Sequence, residues 1–371
     1  FLLRHPALVA FIGFHLKGYH PHFGFDPEVT VPTSRHLRRR LQEIQNRHLK
    51  LLLYNTVRSL KELGLVNDEV IMDTTEIIAR VKENNPKQFV SNRYNKNKIP
   101  NGNPDSRLGI KPSTNKSKDG KTKLRYFWGF KNGAAFQETK HGIITLNEET
   151  KAANTADVNF FFPLIKPIKD TLRITIKTFI ADAAFDAWYV YHFVTKGKGT
   201  AFIPINTRGH KILQHGYGPN GRPLCPDNRE MANAGTWFDK KRGYRRQKYI
   251  CPLIDPHTGK RKQNQTCRCD HPKWQKKGCY KYINLDDPEN SRFAIDRESC
   301  LFKRTYKKRT IAERGFSIIK NYKLEDPIFR NEDSIANLYT IAYSLMNAKV
   351  ILKAKEESLP QEEALLQETA A

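Results

Sequence analysis

A chain of 371 residues with 64 Lys and Arg against 38 Asp and Glu carries a formal net charge of +26. That excess disfavours an acidic, self-solvating chain and points to a polyanionic partner, nucleic acid first, with a ribosomal-type RNA contact or a merely basic surface as the competing readings. The length allows one large or two to three modest domains, and no apolar run approaches the ~20 residues of a membrane-crossing helix.

The opening segment, FLLRHPALVAFIGF, is interrupted by Arg4, His5 and Pro6 and lacks a small-residue cleavage site, so it does not read as a signal peptide. A cytoplasmic, nucleoid-associated location with reduced cysteines is the expectation. Because the first residue is Phe1 and not Met, residues 1–66 are expected to be an incomplete N-terminal helical region. Within it Thr33–Leu63 reads as one or two helices, with Leu37, Leu41, Ile44, Leu51 or Leu52, and Leu60 as the apolar stripe. Arg35, Arg38, Arg39 and Arg40 charge its start and suit phosphate contacts.

Residues 67–207 read as strands alternating with helices, hence an α/β core. Val70, Ile71 and Met72 lead into Asp73 and the β-branched pair Ile77–Ile78, a buried strand with an acid in its middle. The polar stretch Lys82–Lys123 reads mostly as loop. Leu124–Phe130 and Ala134–Gln137 then form a hairpin about a turn at Lys131-Asn132-Gly133, followed by a short strand over His141–Leu146. A helix is expected over Phe160–Leu172. Ile174, Ile176, Phe179 and Ile180 form a strand ending at Asp182. A helix over Ala184–Val194, with Asp186 as candidate N-cap, precedes a strand over Thr200–Ile205.

Residues 208–300 form a basic insertion. Arg208–Lys281 holds 18 Lys or Arg against 5 acids, interleaved with Tyr217, Trp237, Phe238, Tyr244, Tyr249, Trp274 and Tyr280. Such a mixture suits phosphate contacts and base stacking, or a small aromatic core. Cys225, Cys251, Cys267, Cys269 and Cys279 cluster here, near His257 and His271. They are candidate zinc ligands stapling a segment poor in aliphatic residues, against the alternative of plain reduced thiols. No Cys-x2-Cys pair occurs, which counts against a common zinc knuckle.

Residues 301–352 hold the most informative stretch, YKKRTIAERGFSIIK. On a helix Tyr306, Arg309, Glu313 and Lys320 step by three, four and seven and share one face. Asp73 and Asp182 are acids in or at the end of apolar strands, costly without a compensating cation or hydrogen bonds. With Glu313 they make a three-carboxylate set of the oxygen donors that hard divalent cations prefer. Residues 353–371 form an acidic tail, 5 Glu against 2 Lys, read as disordered or as a fraying helix.

The order Asp73 in IMDTT, Asp182 in IADAAFD and Glu313 within Tyr-Arg-Glu-Lys resembles the DDE transposases of bacterial insertion sequences, in the group named for that signature. RYFWGFKNG at Arg125–Gly133, FIPIN at Phe202–Asn206 and KNYKLEDP after the signature extend the resemblance from about Thr33 to Asn347. The resemblance implies a ribonuclease-H-like mixed sheet flanked by helices, with Asp73 on the first strand, Asp182 at the end of the fourth, Glu313 on a later helix and the basic segment inserted before it. It further implies Asp73, Asp182 and Glu313 as catalytic ligands of two Mg²⁺ ions (Mn²⁺ as a substitute), and Tyr306, Arg309 and Lys320 as contacts to DNA phosphates. Expected partners are double-stranded DNA, as transposon ends and as target, and a second copy of the chain in the DNA complex, with no membrane. Two other classes stay open: a catalytically inactive or domesticated DNA-binding derivative, and a zinc-containing RNA-binding protein.

Overall fold

The alternation of the first core strand, β1 (Glu69–Ile78), sets the architecture. Val70 and Met72 turn to one face of the sheet and Ile71 and Ile77 to the other. All four are fully buried, in two different apolar clusters, so the sheet is covered on both sides. The computed structural model describes residues 34–116, 122–207, 216–262, 278–322 and 324–369.

In chain order, helices α1 (Ser34–Glu43) and α2 (Asn46–Glu62) precede β1. Strands β2 (Arg107–Lys116), β3 (Thr122–Thr139) and β4 (Gly142–Ala152) follow it. Next come α3 (Phe161–Asp170), β5 (Thr178–Ile180), α4 (Trp188–Lys196) and β6 (Thr200–Phe202). β1 pairs antiparallel with β3 on one edge and parallel with β5 on the other, and β5 pairs parallel with β6. β3 also pairs antiparallel with β2 along its first half and with β4 along its second. The result is one six-stranded mixed sheet.

One face packs on α3 and α4 through Phe161, Leu164, Ile168, Val190 and Val194. The other packs on α5 (Cys300–Tyr306), α6 (Thr310–Asn321) and α7 (Glu332–Thr369) through Phe302, Phe316, Ile319, Tyr339 and Tyr343. A buried polar network ties α7 and α2 to the sheet. The Glu148 carboxylate, wholly shielded from solvent, pairs with the Lys50 ammonium at 2.7 Å and accepts from Thr340 at 2.6 Å and Asn132 at 2.8 Å. A buried charge with this many partners is compensated, and loss of any one would leave it exposed to the low-dielectric interior.

Between β6 and α5 the chain builds a second unit, an antiparallel sheet of β7 (Ala232–Asp239), β8 (Tyr244–Ile250) and β9 (Tyr280–Asn284). It has its own apolar cluster, in which Tyr217 stacks on Phe293 with centroids 3.7 Å apart beside Tyr249, Leu253, Ile283 and Leu285. The aromatics thus divide. Tyr217 and Tyr249 are core, whereas Trp237, Phe238 and Tyr280 are exposed, and Trp274 lies outside the described residues.

Several sequence expectations are corrected. Lys131-Asn132-Gly133 is not a turn but the middle of the 18-residue strand β3. Asn132 is fully buried there and accepts from the Tyr343 hydroxyl at 2.8 Å. Gly133 is required for close approach: a Cβ would stand 2.6 Å from the Phe160 ring. The true hairpin turn lies between Thr139 and Gly142.

The polar stretch before β3 hides β2, an edge strand that tolerates Pro112 because only one side is paired. Asp182 therefore follows the fifth strand. That strand is shorter than expected, with Ile174 and Ile176 buried ahead of it, and β6 ends at Phe202. On α2 the buried stripe is Leu49, Leu53, Val57 and Leu60, while Leu51 and Leu52 are exposed, as is Ile44 between α1 and α2. Asp186 is not the N-cap of α4, a position that Ala187 takes. Its fully shielded carboxylate takes a forked contact from Arg292, at 2.9 and 2.5 Å, plus the Tyr191 hydroxyl and the Asn206 N–H. It fastens the inserted unit to the core. Residues 353–369 continue helix α7.

Candidate active site

Strand parity aims Asp73 at its partners. It shares the face of Ile71 and Ile77, the face covered by α6, and there Arg309 and Glu313 stand at and just inside the start of that helix. What brings α6 down onto the sheet is Gly315. It is buried against β3 so closely that a Cβ would stand 2.6 Å from the Phe136 ring, and Phe316 meets the same ring edge-on at 5.1 Å. Asp182 reaches the site from the end of β5, where its carboxylate caps the turn Ala183–Phe185 by accepting from the Ala184 N–H at 2.9 Å.

The signature stretch is helical but not one uniform helix. Tyr306 closes α5, Lys307–Arg309 form a single tighter turn, and Glu313 and Lys320 lie on α6. Backbone angles at both junctions stay in the right-handed helical region, so the face is carried through.

Asp73, Asp182, Glu313, Arg309 and Lys320 all line one open cavity of about 610 Å³. Tyr306 does not line it. Its ring stacks on Phe302 at 5.6 Å, and burial raises its hydroxyl pKa, with Asp182, Asp73 and Glu313 adding to the rise against Arg309. The cavity also contains residues the sequence reading did not single out: Asp157, Lys131, Lys111 and Ser317 among them. Lys131 donates to Asp157 at 2.7 Å and to the Thr155 carbonyl at 3.0 Å. No sequence signal marked this pair, because a continuous β3 is needed to carry Lys131 into the site.

The electrostatics are those of a site short of positive charge. Burial pushes the Asp73 carboxyl up to about 6, the Asp182 charge adds to the rise, and the Thr74 N–H and Arg309 oppose it. Burial likewise raises Asp182; the Ala184 N–H works against this and the Asp157 charge with it. Arg309 spans two of the acids. One terminal nitrogen donates to Asp73 at 3.0 Å and the other to Glu313. Lys320 pairs with Glu325 at 2.6 Å. In this form no three His, Cys, Asp or Glu side chains among the described residues are gathered closely enough to hold an ion. The donor set still fits a hard cation, since two half-buried, mutually repelling carboxylates are relieved by a bound positive charge.

Three of the candidate zinc ligands of the inserted unit lie in its apolar cluster. They are Cys225, Cys251 and Cys279, all buried, and the Cys251 N–H donates to the Cys279 carbonyl at 2.9 Å. Cys267 and Cys269 lie outside the described residues. The small aromatic core that the sequence allowed for this segment is present, built on Tyr217, Tyr249 and Phe293 with Ile250 and Leu253 beside them. Among the described residues no helix is long and apolar enough to cross a membrane. No family model and no curated protein matches the chain.

Proposed function

We propose that the protein is a DDE-type transposase that cleaves DNA at transposon ends and transfers the freed strand, using Asp73, Asp182 and Glu313 with divalent cations. The observation that carries this reading is one cavity lined by all three acids from distant parts of the chain, together with Arg309 and Lys320. The sheet supports it: an antiparallel β1–β3–β4 meander is extended on the other edge of β1 by parallel β5 and β6. That arrangement suits a ribonuclease-H-like core, with the first acid on the central strand and the second just past its parallel neighbour.

When bound, Mg²⁺ or Mn²⁺ held by the three acids would activate the attacking oxygen and stabilise charge on the leaving one. The chain's own groups do the rest. Arg309 can fork onto a phosphate and Lys320 can act as a point charge, while Lys111 and Lys131 line the same cavity and offset phosphate charge. Hydrolysis by this route leaves a 3′-hydroxyl and no covalent link between protein and DNA. The test uses a plasmid carrying the DNA that flanks the gene. Cleavage is expected with Mg²⁺ or Mn²⁺, not in chelator, with 3′-hydroxyl ends. A protein-linked DNA end, or cleavage unaffected by chelator, would refute the proposal.

A further inference from the structure

Arg309 stands where two demands meet. Its terminal nitrogens are engaged with Asp73 and Glu313, two of the three acids that the proposed reaction needs as cation ligands. These contacts are not a generic surface pair. Asp73 is only 15% exposed and Arg309 26%, whereas Glu313, at 53%, is drawn from the solvent side toward the guanidinium. A guanidinium between two carboxylates supplies the positive charge that a bound cation would otherwise supply, and it occupies oxygens that the cation would use. The same Arg309 lines the cavity that an incoming phosphodiester would enter. A phosphate met by those two nitrogens must displace at least one carboxylate.

We propose that Arg309 is a positioning residue that couples phosphate binding to cation binding. Without DNA it clamps Asp73 and Glu313 together and keeps the cation site weak; a phosphate in the cavity takes over the guanidinium and releases both acids to the cation. The absence of any gathered three-acid group among the described residues fits the clamped form. This rests on the reading of Asp73 and Glu313 as cation ligands. Because coupling is reciprocal, DNA should strengthen cation binding and the cation should strengthen DNA binding by the same factor.

The test is Mn²⁺ titration of the full chain, followed by the magnetic resonance signal of free Mn²⁺, with and without a short DNA duplex of mixed sequence. Duplex alone serves as the blank. Wild type is expected to bind Mn²⁺ weakly alone and roughly tenfold more tightly with duplex, a coupling of ordinary size. Arg309→Ala should bind Mn²⁺ roughly tenfold more tightly than wild type without DNA, and gain little when duplex is added. Arg309→Gln, which keeps the side-chain bulk, should behave like Arg309→Ala and guards against a folding defect; thermal melting checks both. If both variants bind Mn²⁺ no better than wild type while Asp73→Asn weakens it, the acids are ligands and the clamp is wrong. If wild type and all variants fail to bind Mn²⁺ even with duplex, the cation-site reading falls and the clamp falls with it.

Discussion

Asp73 is a residue whose charge burial makes costly. Its folded pKa of about 6 stands above the ordinary 3.8, chiefly through burial. The folded protein therefore holds this proton more tightly than the unfolded chain. Stability contributed here is present below the ordinary value and is lost as pH rises through about 6. For a carboxyl 15% exposed the shift corresponds to about 3 kcal/mol in the metal-free protein. Asp73→Asn, which mimics the neutral acid, should accordingly melt above wild type near pH ~8 without divalent cations and converge with it below pH ~4. Mg²⁺ should raise the wild-type melting temperature and narrow the gap. A wild type that melts as high as the variant at the alkaline end, in chelator, would show that Asp73 is already compensated without a cation.

Helix α6 is where packing would control the proposed chemistry. Gly315 permits the close approach to Phe136 that lowers Glu313 and Arg309 toward β1. Phe136 is fully buried and cannot swing away. Gly315→Val should therefore cost about 1–3 kcal/mol by overpacking and push α6 off the sheet. Cleavage should fall further than a stability loss alone would produce, as seen by comparing activity below the melting temperature of the variant. Unchanged melting and unchanged cleavage would show that α6 is not positioned by this contact. Elements with a clean pattern were legible beforehand: β1 from its apolar run and the signature helix from its spacing. Asp73 and Asp182 stood out because acids are rare in apolar strands. β2 was not legible, since an edge strand with one paired side can carry Pro112 and polar residues. Asn132-Gly133 misled because a glycine that makes room for Phe160 reads the same as a glycine that makes a turn. That single misreading hid Lys131, and Asp157 with it.

At the scale of the whole molecule, the proposed function gives the site and the charge separate jobs. A net charge of +26 spread over the core and the inserted unit supplies attraction to phosphates at many points. The three acids contribute nothing to that attraction and oppose it. Removing one of them should leave duplex binding, and its dependence on salt, close to wild type. The most direct measurement compares wild type with Asp73→Asn, Asp182→Asn and Glu313→Gln on DNA carrying the flanking ends of the gene. Cleavage with Mg²⁺ and duplex binding are to be read in the same preparations. The expected result is cleavage lost in all three variants with binding retained or slightly tighter. Cleavage that persists in Glu313→Gln, or a loss of cleavage matched by an equal loss of binding, would contradict a catalytic site built from these three carboxylates.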